Sequence, residues 1–248
     1  MDGIHIALKA EEITHIWGLP ITNTLITSWV IIGLLIFIGF LVKKNISMVP
    51  GKLQNLFEMA FEYLLNYMEG VLEDSKLARK FFPLIATIFI FIFAANMLHF
   101  LPIMGSLGFY HGEEFIPLFR AVNTDLNATL ALAIIAFLTV EITGIVKLGF
   151  LKYGSKFVNF KGGVTGFLVG LVEIIGNLAR LISLSFRLFG NVFAGEVLLV
   201  VIASFIPVFV PLPFMLFEVF VGFLQAAIFA LLTLAFIRIA ITEPHGAH

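Results

Sequence analysis

The chain has 248 residues, 60% of them hydrophobic and 12% charged, with 29 Phe and a mean hydropathy of +1.07. That is more apolar side chain than one water-soluble core can bury, so the composition excludes a soluble domain and points to a polytopic membrane protein. A net charge of -1 leaves no basic surface for nucleic-acid phosphates, and the absence of Cys excludes disulfides and thiolate metal sites.

Residues 1–24, opening MDGIHIALKAEEITHIWG, lack a basic start followed by an apolar core and a small-residue cleavage site, and read as an uncleaved N-terminal segment. Residues 25–42 form an uncharged run closed by Lys43 and Lys44, long enough to cross hydrocarbon as one helix. After the turn signal MVPGK, residues 53–74 carry Leu53, Leu56, Phe57, Ala60, Phe61, Leu64, Met68 and Val71 at helical spacing, opposite Glu58, Glu62, Asn66 and Glu69. This predicts an amphipathic helix at the membrane interface, whose acidic polar face suits a protein partner as well as lipid. Residues 81–101 make a second span. Pro102 to Asp125, rich in Pro, Gly and charge, reads as a polar loop. Residues 126–147 make a third span with Glu141 inside it, read as a carboxyl near the cytoplasmic boundary with a channel-lining place as the alternative. The loop KLGFLKYGSKFVNFKGG follows.

In the last third, apolar residues run from 165 to 206, with no Pro between Phe167 and Ile206. One helix of that length measures roughly 60 Å, against about 30 Å of hydrocarbon. Either two spans join without a polar loop or one helix is steeply tilted; with IPVFVPLP turning the chain back into the run 213–241, the tilted hairpin is preferred. The predicted fold is therefore an all-α membrane protein of about five membrane helices plus the interfacial helix, ending in a long, strongly tilted hairpin. Orientation follows from the basic residues: Lys43, Lys44, Lys52, Lys76, Arg79, Lys80, Lys147, Lys152, Lys156, Lys161 and Arg238, eleven of fifteen, fall on one side, which makes it cytoplasmic. Lys9 and Arg120 fall on the other, so the N-terminus is expected outside and the C-terminus in the cytoplasm.

Arg180 and Arg187 remain, both within the long apolar segment. At 100° per residue, Glu173, Asn177, Arg180, Leu184, Arg187, Asn191 and Ala194 share one stripe. Ser183, Gly190 and Ala194 make the surface around Arg187 small enough for another helix to approach closely. Glu196 faces the opposite way, and Glu218 and Gln225, seven apart, share a face of the returning helix. An intramembrane charge costs roughly 2.5 to 3.5 kcal/mol on insertion scales. One reading is internal glue, with Arg187 paired to Glu196 or Glu218; the other is an ion path, in which a mobile carboxylate meets the arginine.

The segment SLSFRLFGNVFAGE (183–196) resembles the signature of the a subunit of F-type ATP synthases, the membrane stator of the proton motor. EIIGNLARLISLSFRLFGN (173–191), NTDLNATLALA (123–133), PLIATIFIFIFAANMLHFLP (83–102) and LQAAIFALLTLAFI (224–237) are similar to that family in order and spacing, so the resemblance covers nearly all of the chain. The resemblance implies two offset half-channels and an essential stator arginine, Arg187, which strips the proton from a carboxylate of the c-subunit rotor ring. It makes Asn191 the polar neighbour along the same surface, Gln225 the amide near the arginine, and Glu196 with Glu218 the outer half-channel pair. Glu173 becomes the acid at the cytoplasmic exit, and Asp125 with Asn127 the outer entrance. The implied partners are the c ring, the b-subunit peripheral stalk, the rest of the ATP synthase complex and the lipid bilayer, in a bacterial inner membrane. Two positions depart from the family pattern: Leu181 stands where many relatives have Pro, and Glu218 where some have His.

Two rivals belong to other classes. A self-contained ion or anionic-solute transporter would bind its cargo at the buried Arg, but the two halves of the chain are not similar. An intramembrane enzyme would use Glu196 and Glu218 as acid and base and needs a substrate cleft. His99 and His111 read as surface decoration, and His5, His15, His245 and His248 lack ligand spacing, so neither a metal nor a cofactor is expected. No nucleotide loop, nucleophile elbow or HExxH pattern is present.

Overall fold

Helices dominate the computed structural model, which describes residues 10–16, 18–44, 46–47, 50–100, 107–111, 114–154, 163–206 and 209–242. His5, His245, His248, Lys9, Lys156 and Lys161 lie outside the described residues, as do parts of the expected loops and of the turn at 206–213.

The first span is α1 (Asn23–Lys44), apolar on every side and therefore without a preferred face. Only Asn23, Thr24, Thr27 and Ile31 are buried, while Trp29, Ile36, Phe37 and Phe40 point outward, as a helix wrapped mostly by lipid should. The amphipathic helix is α2 (Lys52–Leu72). Its second half packs Leu64, Leu65, Met68 and Leu72 on the core. Its first half leaves Leu56, Phe57 and Phe61 exposed as an apolar strip.

The second span, α3 (Ser75–Leu98), begins six residues before the predicted start of 81 and ends three residues short of 101. Asp74 sets the start: as N-cap it accepts from the backbone N–H groups of Lys76 (2.9 Å) and Leu77 (3.1 Å). The first turn carries Lys76, Arg79 and Lys80, which a hydropathy criterion removes from the span although the helix includes them. The Leu77 N–H, followed by the Lys76 N–H and the charges of Lys147 and Lys76, holds the Asp74 carboxyl below its ordinary value. A depressed folded value stabilises above the unfolded value and loses that stabilisation as pH falls through the folded one. Asp74→Ala is therefore expected to lower the thermal midpoint in detergent at about pH 7, with the gap from the parent closing toward about pH 3. A gap that stays constant over that range would sink the capping argument.

The third span is α4 (Leu126–Leu148), and a short α5 (Phe150–Gly154) occupies what reads as loop. Two antiparallel hairpins also fall where the sequence suggests irregular chain: β1 (Glu12–Ile16) with β2 (Leu19–Thr22), and β3 (Gly108–His111) with β4 (Glu114–Pro117). These strands are too short for alternation to register as a signal. Asn23 ties both to the start of α1, its backbone N–H donating to the Glu11 carbonyl (3.1 Å) and its side-chain amide to that of Pro117 (3.3 Å).

The last third is α6 (Gly163–Phe205) and α7 (Pro211–Ile241). With 43 residues, α6 is one unbroken helix, and Leu181 sits in it without a break. At about 1.5 Å per residue it is roughly twice as long as hydrocarbon is thick, so it tilts or projects beyond the bilayer. Pairing of Asn191 with Gln225 and close contact of Gly195 with Glu218 show that α6 and α7 run antiparallel, the expected hairpin. Among the described residues, five helices are long and apolar enough to cross a membrane: α1, α3, α4, α6 and α7.

The core lies where α3, α4 and α7 meet, filled by Ile85, Ile92, Ala133, Ala136, Phe229, Leu234 and Ile237, with Leu184 and Leu188 of α6 closing one side. At one end, Arg238 reaches back from α7 to Glu73 (2.6 Å) and to the Leu72 carbonyl (2.8 Å), and Lys147 of α4 lies 3.9 Å from Asp74. The C-terminal ends of α4 and α7 therefore gather with the α2–α3 corner and its basic residues.

Candidate functional site

The polar stripe of α6 runs along the edge of its packed face. Positions rotated toward Leu188 and Ser185, namely Asn177 and Leu184, are buried against α4. Positions on the other edge, Ser183, Arg187 and Ala194, are exposed. A spacing of fourteen residues turns a helix by about 40° short of full revolutions, which is enough to carry Arg187 around the edge from Glu173. The Arg187 guanidinium donates to Ser183 Oγ (3.2 Å), and among the described residues no carboxylate lies within ion-pairing distance of it. The internal-glue alternative is thereby set aside.

Two polar clefts flank that arginine along the chain. The first is lined by Glu141 of α4, Asn177 and Arg180 of α6 and Phe236 of α7 among others. There Glu141 accepts from Tyr153 Oη (3.0 Å) and from the Asn177 amide (3.2 Å), and Asn177 Oδ1 accepts from Arg180 (2.7 Å). The Arg180 guanidinium lies over the Phe236 ring, 5.4 Å from its centroid, a cation–π contact. Gly144 makes room for Tyr153, whose ring occupies the space a β-carbon would need. Burial, and then the charge of Glu141, pushes the Tyr153 phenol above its ordinary value, so it stays protonated as a donor. Glu173 lies near enough for its charge to act on the same phenol. Glu141 thus faces the bundle interior.

The second cleft is lined by Asn96 and His99 at the end of α3, Asn191 and Val192 of α6, and Glu218, Gly222 and Gln225 of α7. Asn191 donates to Gln225 Oε1 (2.9 Å), joining the exposed stripe to a buried amide. Asn123 donates to Asn96 Oδ1 (2.7 Å), and Asn96 in turn to the Gly222 carbonyl (2.9 Å). Glu218 lies directly against the backbone of Gly195, where any side chain would collide with its carboxylate. Glu196 is close enough that its charge acts on both Glu218 and His99. Glu196 Oε2, Glu218 Oε1 and His99 Nδ1 are buried without a hydrogen-bond partner among the described residues. Each such atom costs about 1–3 kcal/mol unless something else satisfies it.

His99 corrects the expectation of surface decoration: it faces the bundle. Its spacing from Asn96, three residues on one helix, is a signal the sequence does contain, but the end of an apolar run does not reveal which face meets the bundle. Asp125 lies apart from this cluster. Its carboxylate caps α4 through the Asn127 N–H (2.9 Å) and accepts from Thr24 Oγ1 (2.8 Å). The sequence-read residues Asn191, Glu196, Glu218 and Gln225 thus come together, Glu173 lies near Tyr153 on the other side of Arg187, and Asp125 serves as a clasp to α1.

A helical bundle with a lone exposed intramembrane arginine between two polar clefts defines an ion-translocating membrane protein. The family model described as ATP synthase A chain matches residues 25–238. ATP synthase subunit a of Moorella thermoacetica is 34% identical over 230 residues, 93% of this chain and 95% of the relative. ATP synthase subunit a of Geotalea daltonii is 34% identical, covering 88% of this chain and 87% of the relative. ATP synthase subunit a 1 of Syntrophotalea carbinolica is 36% identical, covering 88% and 85%. The chain belongs to the ATP synthase A chain family: it is the proton-translocating stator subunit of the membrane sector, an integral membrane component of the ATP synthase complex that catalyses nothing alone.

Proposed function

We propose that Arg187 meets the carboxylates of the c-subunit rotor ring on the exposed face of α6, and that the two clefts are offset half-channels serving opposite sides of the membrane. The observation that carries this reading is positional: along α6, the first cleft is lined by residues up to Leu184, the second from Asn191 onward, and Arg187 stands between them. On this reading a proton crosses from one cleft to the other only on a rotor carboxylate that has met the guanidinium.

The chemistry follows from charge. Two unit charges about 4 Å apart attract by roughly 4 kcal/mol at an effective dielectric near 20, which ionises a rotor carboxylate beside Arg187. Once past it, the carboxylate takes a proton from the Glu196–Glu218 cleft and enters lipid neutral. Released protons leave by the Asn177–Arg180 cleft, past Glu173. Arg187 itself carries no proton, since a guanidinium does not deprotonate in this range. The potential supplies about 2.3 kcal/mol per proton per 100 mV. Gln225 and Asn191 position the surface next to the arginine, and Asp125 with Asn127 holds the outer entrance in shape.

Orientation in a bacterial inner membrane, N-terminus outside and C-terminus cytoplasmic, is supported by the gathering of Arg238, Lys147 and the α2–α3 corner at one end. The exposed apolar strip of α2 and its acidic face suit the b-subunit peripheral stalk. The test is disulfide cross-linking in the assembled complex, and the native chain has no Cys to interfere. Ala194→Cys or Ser183→Cys should link to a cysteine placed next to the rotor carboxylate, while Ile36→Cys on α1 should not. Absence of the first link in an assembled complex would remove the rotor from this face.

A further inference from the structure

We infer that His99 is a third proton-exchanging member of the Glu196–Glu218 cleft. The inference rests on the half-channel reading and adds to it a titrating group supplied by α3. Three elements converge there, and each delivers one buried polar atom that finds no partner among the described residues: His99 Nδ1 from the end of α3, Glu196 Oε2 from α6, and Glu218 Oε1 from α7. A purely structural histidine in a buried setting satisfies its ring nitrogens with protein groups. This one turns an unsatisfied nitrogen into a cleft that two carboxylates share.

The charges explain why an imidazole belongs there. Glu218 lines the cleft and lies against Gly195, the neighbour of Glu196, whose charge acts on it, so the two carboxylates stand close together. Both can ionise only if a cation stands beside them. Among the described residues, the titratable groups that face His99 are Glu196 from α6 and Glu218 from α7. From its own helix and from the turn Val122–Thr124 come the amides of Asn96 and Asn123. From α1 the packed side chain is Ile31, and the oxygens of Asp125 are held by Thr24 and the Asn127 N–H. Arg187 is on the exposed face of α6. Among the described residues, His99 is therefore the group that can place a positive charge beside this pair, since an imidazole can take up a proton and give it back. A proton on the imidazole stabilises one ionised carboxylate, and passing it on restores the neutral ring.

The test measures passive proton conduction through the assembled membrane sector in vesicles, with pH varied on one face at a time. Without the imidazole, the carboxylate pair holds its proton more tightly. His99→Asn is expected to move the midpoint of the conduction–pH curve on the His99 face upward by about one unit and to leave the other face unchanged. His99→Lys, which keeps a cation, should bring the midpoint back to the parent value or below. A parent-like midpoint in assembled His99→Asn overturns the inference, as does failure of His99→Asn, His99→Gln and His99→Lys alike to assemble, which would make the ring structural. Arg187→Ala assayed in parallel for ATP-driven pumping separates the two levels: if it still pumps, the stator reading falls; if pumping is lost while His99→Asn shows no shift, only the His99 inference falls.

Discussion

Arg187→Ala is expected to abolish both ATP-driven proton pumping and proton-driven ATP synthesis in the assembled complex. The side chain is exposed, held by nothing stronger than the Ser183 hydroxyl, and its removal should leave packing untouched. What disappears is the attraction of roughly 4 kcal/mol that ionises a passing carboxylate, close to a thousandfold in an equilibrium constant. The barrier between the two clefts goes with it, so passive leakage should rise while coupled transport falls to background. Arg187→Lys should restore little, because an ammonium desolvated at this depth can lose its proton and lacks the planar fork of the guanidinium. Acidification of inverted vesicles on adding ATP reads this directly, and pumping retained by the Ala variant would overturn the role assigned to Arg187.

Gly195→Ala should have the next largest effect although it changes no charge. A β-carbon there would overlap Glu218 Oε1 and stand 2.7 Å from Glu218 Cδ. The carboxylate must leave the place it shares with Glu196, and α7 resists moving because Ala226, Phe229 and Ala230 are locked in the core. Proton conduction is expected to drop by on the order of a hundredfold, the usual scale for displacing an acid–base group. Adding Glu218→Asp, which retracts the carboxylate by one methylene, should recover part of the rate. The double variant then conducts better than Gly195→Ala alone, a coupling that separates local collision from general damage. Parent-like conduction in Gly195→Ala would show that Glu218 works from somewhere else.

Much of the architecture is legible in the chain itself. The spans 25–42 and 126–147 differ from α1 and α4 by at most two residues at either end, since long apolar runs in a bilayer have no alternative to helix. The hairpin of α6 and α7 is readable from the missing Pro and the Pro-rich turn, and Arg187 from its isolation in an apolar segment. The β hairpins and α5 are not legible, because four- or five-residue elements carry too little periodic signal to separate from loop.

By itself the sequence determined the class, the number of spans and the charged residues that must mean something, because hydropathy and the cost of intramembrane charge act locally along the chain. Only the tertiary structure decided which of those residues meet. Helical periodicity places Asn177 and Arg187 on one stripe, yet packing against α4 buries the first and leaves the second exposed. Likewise His99, Glu196 and Glu218 are far apart in sequence and converge only because α3, α6 and α7 cross at one cleft, a relation set by side-chain packing between helices rather than by spacing within any one of them.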